Sequence, residues 1–353
     1  MICCLYCNLE VGHISAPGEF ELINRLTHGL AKRDDIVQGV GDDCAVLDTD
    51  ADTHLLATCD CQVEGVHFIL RSSPPEQVGR KAIAINISDI AAMGGVPRYA
   101  LISLIVPSCL PAETVDRVYE GLRAEALRYN ITIVGGNIAE AGPSEQLVID
   151  ITLLGTVEQG RALLRSGARV GDLLCVTGTV GDSACGLYTL LHPDYPYPQE
   201  ALDVVQRRHR IPEARVQVGR ILSSYGPSIV TALLDISDGV SGDLDHLCEC
   251  SHVGARVEQA RLPLSPALRK VAEMTKQDPY HWALHGGEDY ELLFTVVPAA
   301  AQDVIARVQA ECSVPVTTIG AIGEAQQGLQ LVSQSGQLEQ LPLKSWDHLK
   351  PRS

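Results

Sequence analysis

The sequence predicts a two-domain α/β (α+β) protein, and three observations lead to that expectation. The chain has 353 residues, which at roughly 150 residues per domain makes two units, each able to bury its own core. Hydrophobic residues make up 46% and charged residues 20%, the composition of a folded globular chain rather than a disordered one. Along the whole length, short apolar runs suited to strands alternate with stretches of helical spacing, through connections compatible with antiparallel pairing.

Taken in order, residues 1–17 open Met-Ile-Cys-Cys and read as an N-terminal extension without the basic region and cleavage site of a secretory leader. Cys3, Cys4 and Cys7 with His13 can be drawn as a zinc site, yet the second half of a four-ligand set is missing nearby. From Gly18, the spacing of Phe20, Ile23, Leu26 and Leu30 predicts a helix, which leads to the turn Gly39-Val40-Gly41-Asp42-Asp43. A strand is expected at Leu55 to Cys59, then a helix opened by Pro74-Pro75 and running past Lys81 towards Met93-Gly94-Gly95. Next come a strand at Tyr99 to Val106, a helix from Ala112 to Tyr129, and strands at Ile131 to Val134 and Leu147 to Thr156. The polar, glycine-bearing segment from Glu158 to Gly171 marks a boundary, predicting units 18–158 and 159–347.

The second unit reads as a strand at Leu173 to Val176 and a helix after Gly181. A tyrosine- and proline-rich loop at His192 to Pro198 and a basic helical stretch through Arg207 and Arg220 follow. Further elements are expected at Ile229 to Leu234, Gly242 to Cys250, Ala255 to Glu258, Glu291 to Val297 and Ala300 to Ala310.

Charge and apolar patterning exclude several classes of partner. A net charge of -17 with a pI near 5.0 repels nucleic acid and anionic membranes, so an anionic ligand needs metal ions or a local cationic pocket. The longest apolar stretch, Tyr99 to Leu110, is broken by Ser103, Pro107 and Ser108, which leaves no membrane span. Twelve cysteines scattered over a long chain suit reduced thiols in a cytoplasmic protein.

The chemistry gathers in acidic residues read at turns or at the ends of apolar runs: Asp42 and Asp43, Asp60, Asp89, Asp235 and Asp238. Taken singly, each is most simply a solvated turn former or helix cap. Asp60, however, ends the run Leu-Leu-Ala-Thr-Cys and Asp235 ends Ile-Val-Thr-Ala-Leu-Leu, so each carboxylate is expected where a buried strand meets a cleft. Hard oxygen ligands spread over several elements suit Mg²⁺, which bridges one or two carboxylates to substrate phosphates. No Gly-x-x-x-x-Gly-Lys-Ser/Thr run occurs, so a nucleotide must be held otherwise. Arg161, Arg165 and Lys81 are candidate phosphate partners or parts of a solvated linker. Gly135-Gly136-Asn137 and Gly286-Gly287-Glu288-Asp289 are read as turns, either ordinary ones or ones with amides exposed to a ligand.

From Gly18 onward the chain resembles the thiamine-monophosphate kinases of the aminoimidazole-ribonucleotide-synthetase superfamily. The resemblance rests on Gly18-Glu-Phe-Glu-Leu-Ile, Gly39-Val-Gly-Asp-Asp-Cys-Ala-Val-Leu, Val63-Glu-Gly-Val-His-Phe and Lys81-Ala-Ile-Ala-Ile-Asn-Ile-Ser-Asp-Ile-Ala-Ala-Met-Gly. It continues through Gly160-Arg-Ala-Leu-Leu-Arg-Ser-Gly-Ala, Val176-Thr-Gly-Thr-Val-Gly-Asp-Ser-Ala, Asp235-Ile-Ser-Asp-Gly and Gly286-Gly-Glu-Asp-Tyr-Glu-Leu. It implies an N-terminal αβ domain that dimerises through its sheet, a C-terminal α/β domain closing over the cleft, and Mg²⁺-dependent transfer from ATP to thiamine monophosphate. Carried over position by position, it implies Asp43, Thr58, Asp60, Asp89, Asp235 and Asp238 as metal ligands, with Asp60, Asp89, Arg165 and Asp235 catalytic. Gly136, Arg165 and Ser237 become ATP contacts, and His67, Glu288 and Trp346 contacts to the acceptor, Trp346 by stacking.

Two positions depart from the family pattern. Asn137 stands where a metal-binding aspartate is usual, which predicts weaker Mg²⁺ binding there; and Cys59 and Cys61 flank Asp60 where hydroxyl residues are common, so that only the Cys59 carbonyl suits a hard cation. These departures keep two other readings open: an ATP-dependent enzyme of the same superfamily with another substrate, and a catalytically silent ATP-binding paralogue.

Overall fold

A computed structural model of the chain describes residues 19–29, 33–49, 52–141 and 146–343. Cys3, Cys4, Cys7, His13 and Trp346 lie outside the described residues.

The first half forms α1 (Glu19–Thr27), β1 (Ile36–Gln38), β2 (Ala45–Asp48), β3 (Thr53–Val63), α2 (Pro75–Ala92), β4 (Val96–Val106), α3 (Ala112–Arg128), β5 (Thr132–Glu140) and β6 (Val148–Glu158). Its strands make one six-stranded sheet in the order β1-β2-β3-β6-β4-β5, antiparallel except for the parallel β4–β5 pair at the edge. The period-2 alternation of β6 points Ile149, Ile151 and Leu153 to a buried face covered by α2 and α3. Among the described residues the opposite face has no cover, and Tyr99, Leu101 and Ile105 of β4 stand exposed there; at the edge, Val134 and Ile138 of β5 are exposed as well, Ile138 on the Leu104 side. Proline at its first position starts α2, and its apolar Ile83, Ile87 and Ile90 are fully buried. The two helices touch backbone to backbone, because a Cβ at Gly121 would lie 1.9 Å from the Glu76 carbonyl oxygen.

The second half runs through β7 (Leu173–Thr177), α4 (Asp182–Leu191), α5 (Gln199–Arg210), α6 (Val216–Tyr225), β8 (Val230–Asp235), α7 (Val240–Ser251), β9 (Gly254–Glu258), α8 (Pro266–Thr275), α9 (Pro279–His285), β10 (Leu292–Val296), α10 (Pro298–Cys312), β11 (Val316–Gly323), β12 (Leu329–Val332) and β13 (Leu338–Gln340). Its seven strands order as β13-β12-β9-β11-β7-β10-β8, with helices and apolar clusters on both faces. Helix α2 packs on α6 and β8, so it belongs to the first half by sequence and to both halves by contact.

Several expectations need correction. The strand predicted at Leu55 to Cys59 runs to Val63, so Asp60 lies within β3 and not at its end; Asp89 sits in the last turn of α2, inside the expected helix and not at a turn or strand end. Gly135-Gly136-Asn137 is no turn: these residues continue β5 opposite Leu101, Ile102 and Ser103. The basic stretch through Arg207 and Arg220 is two helices, α5 and α6.

Candidate active site

Three elements bring acidic side chains to one point between the sheets. Asp43 precedes β2, Asp89 ends α2, and Asp235 ends β8, whose six residues are all buried. Each offers a carboxylate oxygen, and these oxygens lie within 4.8 Å of one another. Helix α2 anchors the group: Asp89 accepts from Thr58 Oγ1 at 2.5 Å, and Ser88 beside it donates to Asp235 Oδ2. Alternation along β3 turns Thr58 and Asp60 towards α2, where the Asp60 amide donates to Asn86 Oδ1 at 3.1 Å. Cys59 and Cys61 therefore point the other way, and the Cys59 thiol contacts Asp150 and Thr152 on the uncovered face. The thiols thus do not face the carboxylates.

Arg165, in the segment joining the two sheets, pairs its guanidinium with Asp43 Oδ1 (2.6 Å from Nη2, 3.2 Å from Nε), while its backbone amide donates to Asp42 at 3.1 Å. The other Asp43 oxygen, Oδ2, is buried without a hydrogen-bond partner among the described residues. Clustering has the usual electrostatic effect. Burial and then the neighbouring Asp43 push Asp235 up to about 8, and the same two causes push Asp42 up to about 7 against the pull of Arg165. Burial, helped by Asp60 and Asp235, holds Asp89 well above the usual carboxylate range. Crowded buried carboxylates with one orphaned oxygen and only hard oxygen donors fit a divalent cation such as Mg²⁺.

Beside this group, Ser237 and Asp238 follow β8, and the Asp238 and Gly239 amides donate to the buried Asp243 at 3.1 and 3.0 Å. The segment from Gly287 to Tyr290 lies against this loop. Glu288 N donates to Ser237 O at 2.7 Å and Tyr290 N to Ile236 O at 2.9 Å, and a Cβ at Gly287 would sit 2.3 Å from the Ser237 oxygen. Glu288 itself has φ +67°, a left-handed conformation that non-glycine residues keep only when their surroundings hold it. Its carboxylate reaches Lys81 Nζ at 2.6 Å and His209 Nδ1 at 3.3 Å; burial opposes its ionisation, but Lys81 and His209 hold it well below the usual range. His67 follows β3, and its Nδ1 accepts from Val63 N at 2.9 Å.

The structure thus gathers Asp43, Thr58, Asp89, Arg165 and Asp235 at one point, and a chain of contacts through α2 and the loop after β8 connects Asp60, Ser237, Asp238, Glu288 and the His67 backbone to the same region. It does not bring Gly136 and Asn137 there within one chain. The sheet register runs Asp60, Ile151, Ile102, Gly136, which puts Gly136 three strands away, about 14 Å along the sheet at roughly 4.8 Å per strand. Sequence reasoning missed Ser88, Asn86, His209 and Asp243. The available signal was a set of polar residues inside the otherwise apolar run of α2, since a buried polar group needs a partner.

Comparison with known proteins agrees in fold and sequence. Residues 41–157 match the family "AIR synthase related protein, N-terminal domain", and residues 169–331 match its C-terminal domain. The thiamine-monophosphate kinase of Bacillus subtilis (strain 168) is 36% identical over 333 residues, spanning 94% of this chain and 99% of the relative. That of Escherichia coli (strain K12) is also 36% identical, over 94% of this chain and 98% of its own length. A solved structure of AaThiL complexed with AMPPCP and TMP superposes with a TM-score of 0.83 at 35% identity, covering 96% of this chain and all of that one.

Proposed function

The chain belongs to the thiamine-monophosphate kinase family, and from that premise we propose that it transfers the γ-phosphoryl group of ATP to the phosphate of thiamine monophosphate, giving thiamine diphosphate and ADP. The observation that carries this reading is the convergence of Asp43, Asp89 and Asp235 within 4.8 Å, with a buried oxygen on Asp43 that has no partner among the described residues, while Lys81 on the same helix as Asp89 ties Glu288 to the His67 backbone. Asp43, Thr58, the Cys59 carbonyl, Asp60, Asp89, Asp235 and Asp238 are the residues that would hold Mg²⁺, with Asn137 as a further ligand. Bound Mg²⁺ would neutralise the polyphosphate and the charge that develops on the transferred group.

The chain's own residues supply the rest. Arg165 sits where a guanidinium fork can meet phosphate oxygens beside Asp43, and Ser237 and Gly136 offer contacts to ATP. A phosphate monoester with its second pKa near 6 is largely dianionic at neutral pH, so the acceptor oxygen needs no strong base and catalysis is mostly alignment. His67 and Glu288, with Trp346, are assigned to the acceptor. A neutral Nδ1 that accepts from Val63 leaves the proton of His67 on Nε2, as a donor.

Two copies are proposed to pair through the uncovered sheet face and the β5 edge. Exposed Val134 and Ile138 support this, since an unpaired apolar edge is otherwise an aggregation hazard. Pairing there also puts Gly136 and Asn137, remote from the carboxylates of their own chain, at the junction of the two copies. Domain limits at 18–158 and 159–347 and a cytoplasmic location complete the reading. The latter is supported by nine free thiols among the described cysteines, and no described helix is long and apolar enough to cross a membrane.

The test is turnover: protein, ATP, Mg²⁺ and thiamine monophosphate, with thiamine diphosphate read by fluorescence after oxidation to thiochrome, and Asp60→Asn as control. Product that depends on Mg²⁺ and on Asp60 is expected. ATP binding without product would move the assignment to another substrate or to a silent ATP-binding protein.

A further inference from the structure

We propose that Lys81 is a positioning residue that assembles the acceptor subsite from both halves of the chain; the proposal rests on the kinase reading above. Lys81 lies on α2 and is only 3% exposed, a rare state for an ammonium, which is almost never buried unless paired. Its Nζ lies 2.6 Å from Glu288 Oε1 in the second half and 3.3 Å from the backbone oxygen of His67 in the first. One ammonium therefore ties together the two described residues assigned to the acceptor, which stand on different sheets' loops. His209 of α5, 6% exposed, closes the arrangement: its Nδ1 lies 3.3 Å from Glu288 Oε2 and 3.1 Å from Ser183 Oγ, so that with its proton on Nδ1 it donates to Glu288.

The consequence is orientational. A carboxylate has about four lone-pair directions. Lys81 and His209 each take one, which fixes the plane of the Glu288 group and leaves the remaining directions for a ligand. The left-handed backbone at Glu288, its own amide bond to Ser237 O and the Tyr290 amide bond to Ile236 O hold the main chain, so Lys81 and His209 need only set the side chain.

Helix α2 also sets a spacing. Ser88, which holds Asp235, is seven residues beyond Lys81 on the same stripe of the helix, about 10 Å along the axis at 1.5 Å per residue. One rigid element thereby fixes the distance between the carboxylate group, where phosphates react, and the anchor for the far end of the acceptor. A substrate with a phosphate at one end and a hydrogen-bonding heterocycle at the other fits such a spacing.

The test uses full-length Lys81→Met, Lys81→Arg and Glu288→Gln, with ATP and thiamine monophosphate varied separately. Losing a charged hydrogen bond to the anchor is expected to raise KM for thiamine monophosphate about 10- to 100-fold in Lys81→Met, with KM for ATP moving far less and Lys81→Arg recovering part of the loss. In a Glu288→Gln background, Lys81→Met is expected to add nothing further. His209→Gln, which keeps Lys81 in place, gives the same split in weaker form and serves if Lys81→Met does not fold. Parallel rises in both KM values, or independent losses in the double variant, would make Lys81 a mere staple between the halves and overturn the proposal. An inactive wild type would sink the kinase reading and this inference with it, whereas an active wild type with an unmoved acceptor KM in the variants sinks the inference alone.

Discussion

Replacing Glu291 by Gln should remove a large, pH-dependent part of the stability of the second sheet. Glu291 is fully buried beside β10, accepts from Thr177 Oγ1 at 2.6 Å and from Arg215 Nε at 2.7 Å, and pairs with Arg208 on its other oxygen. Burial works against its charge, yet Arg215 and Arg208 win and bring its carboxyl down from 4.5 to about 2. That difference corresponds to about 3 kcal/mol of stability at neutral pH, and removing one side of a buried ion pair costs a similar amount because the partner charges are left uncompensated. A depressed folded value contributes fully above the unfolded pKa and is lost as pH falls through the folded one, so only about 1 kcal/mol should survive at pH 3. In differential scanning calorimetry, Glu291→Gln should melt about 6–12 °C below wild type at pH 7, taking 2–4 °C per kcal/mol for a unit of this size. The gap should shrink to less than half by pH 3. A gap that is constant between pH 7 and pH 3 would mean that the loss is one of packing, and the electrostatic account would fall.

Three further outcomes are expected. Mg²⁺ should raise the melting temperature more at pH 8.5 than at pH 6: Asp235 and Asp42, lifted to about 8 and about 7, cost stability increasingly as pH rises through those values, and a cation replaces the protons lost; equal shifts at both pH values would place the ion elsewhere. Ile138→Lys, at a side chain 73% exposed in the single chain, should leave the fold intact and shift the protein to monomers in analytical ultracentrifugation; an unchanged sedimentation coefficient would remove β5 from the interface. Asn137→Asp should tighten Mg²⁺ or ATP binding in the dimer, as read by calorimetric titration, and should do nothing in the Ile138→Lys background; superimposable titrations in the dimer would take residue 137 out of the metal shell.

The secondary structure was legible where local rules and the tertiary result agree. Proline at the first position and the run of buried isoleucines announced α2, and the helical spacing from Ala112 announced α3 within one residue. Strand extents were misread where a local cue for a break is used for close packing instead. Gly135-Gly136 looks like a turn in a sequence window, but in β5 the missing side chain lets the backbone lie against β4, where a Cβ at Gly136 would come within 1.8 Å of the Ile102 oxygen. Strands β12 and β13, four and three residues long, give no periodicity to detect.

The site divides in the same way, into residue types that the chain order reveals and pairings that it cannot. Each aspartate alone is an ordinary turn residue, and only their number beside apolar runs and glycines made a cation site readable. The partners of Lys81, Asn86 and Ser88 were beyond reach, because nothing near position 81 encodes an acid near position 288. What the sequence does carry is the anomaly itself: an ammonium, an amide and a hydroxyl on buried positions of a helix whose stretch from Ala82 to Ile87 is otherwise isoleucine and alanine. Burial of such groups is tolerable only if each finds a partner. Here the partners are Glu288 in the loop before β10, the Asp60 amide in β3 and Asp235 at the end of β8, so each of these three buried polar residues marks a contact that builds the site. A polar residue on a buried helix face is thus a prediction that another segment arrives there, and in this protein two of those three segments come from the opposite half of the chain.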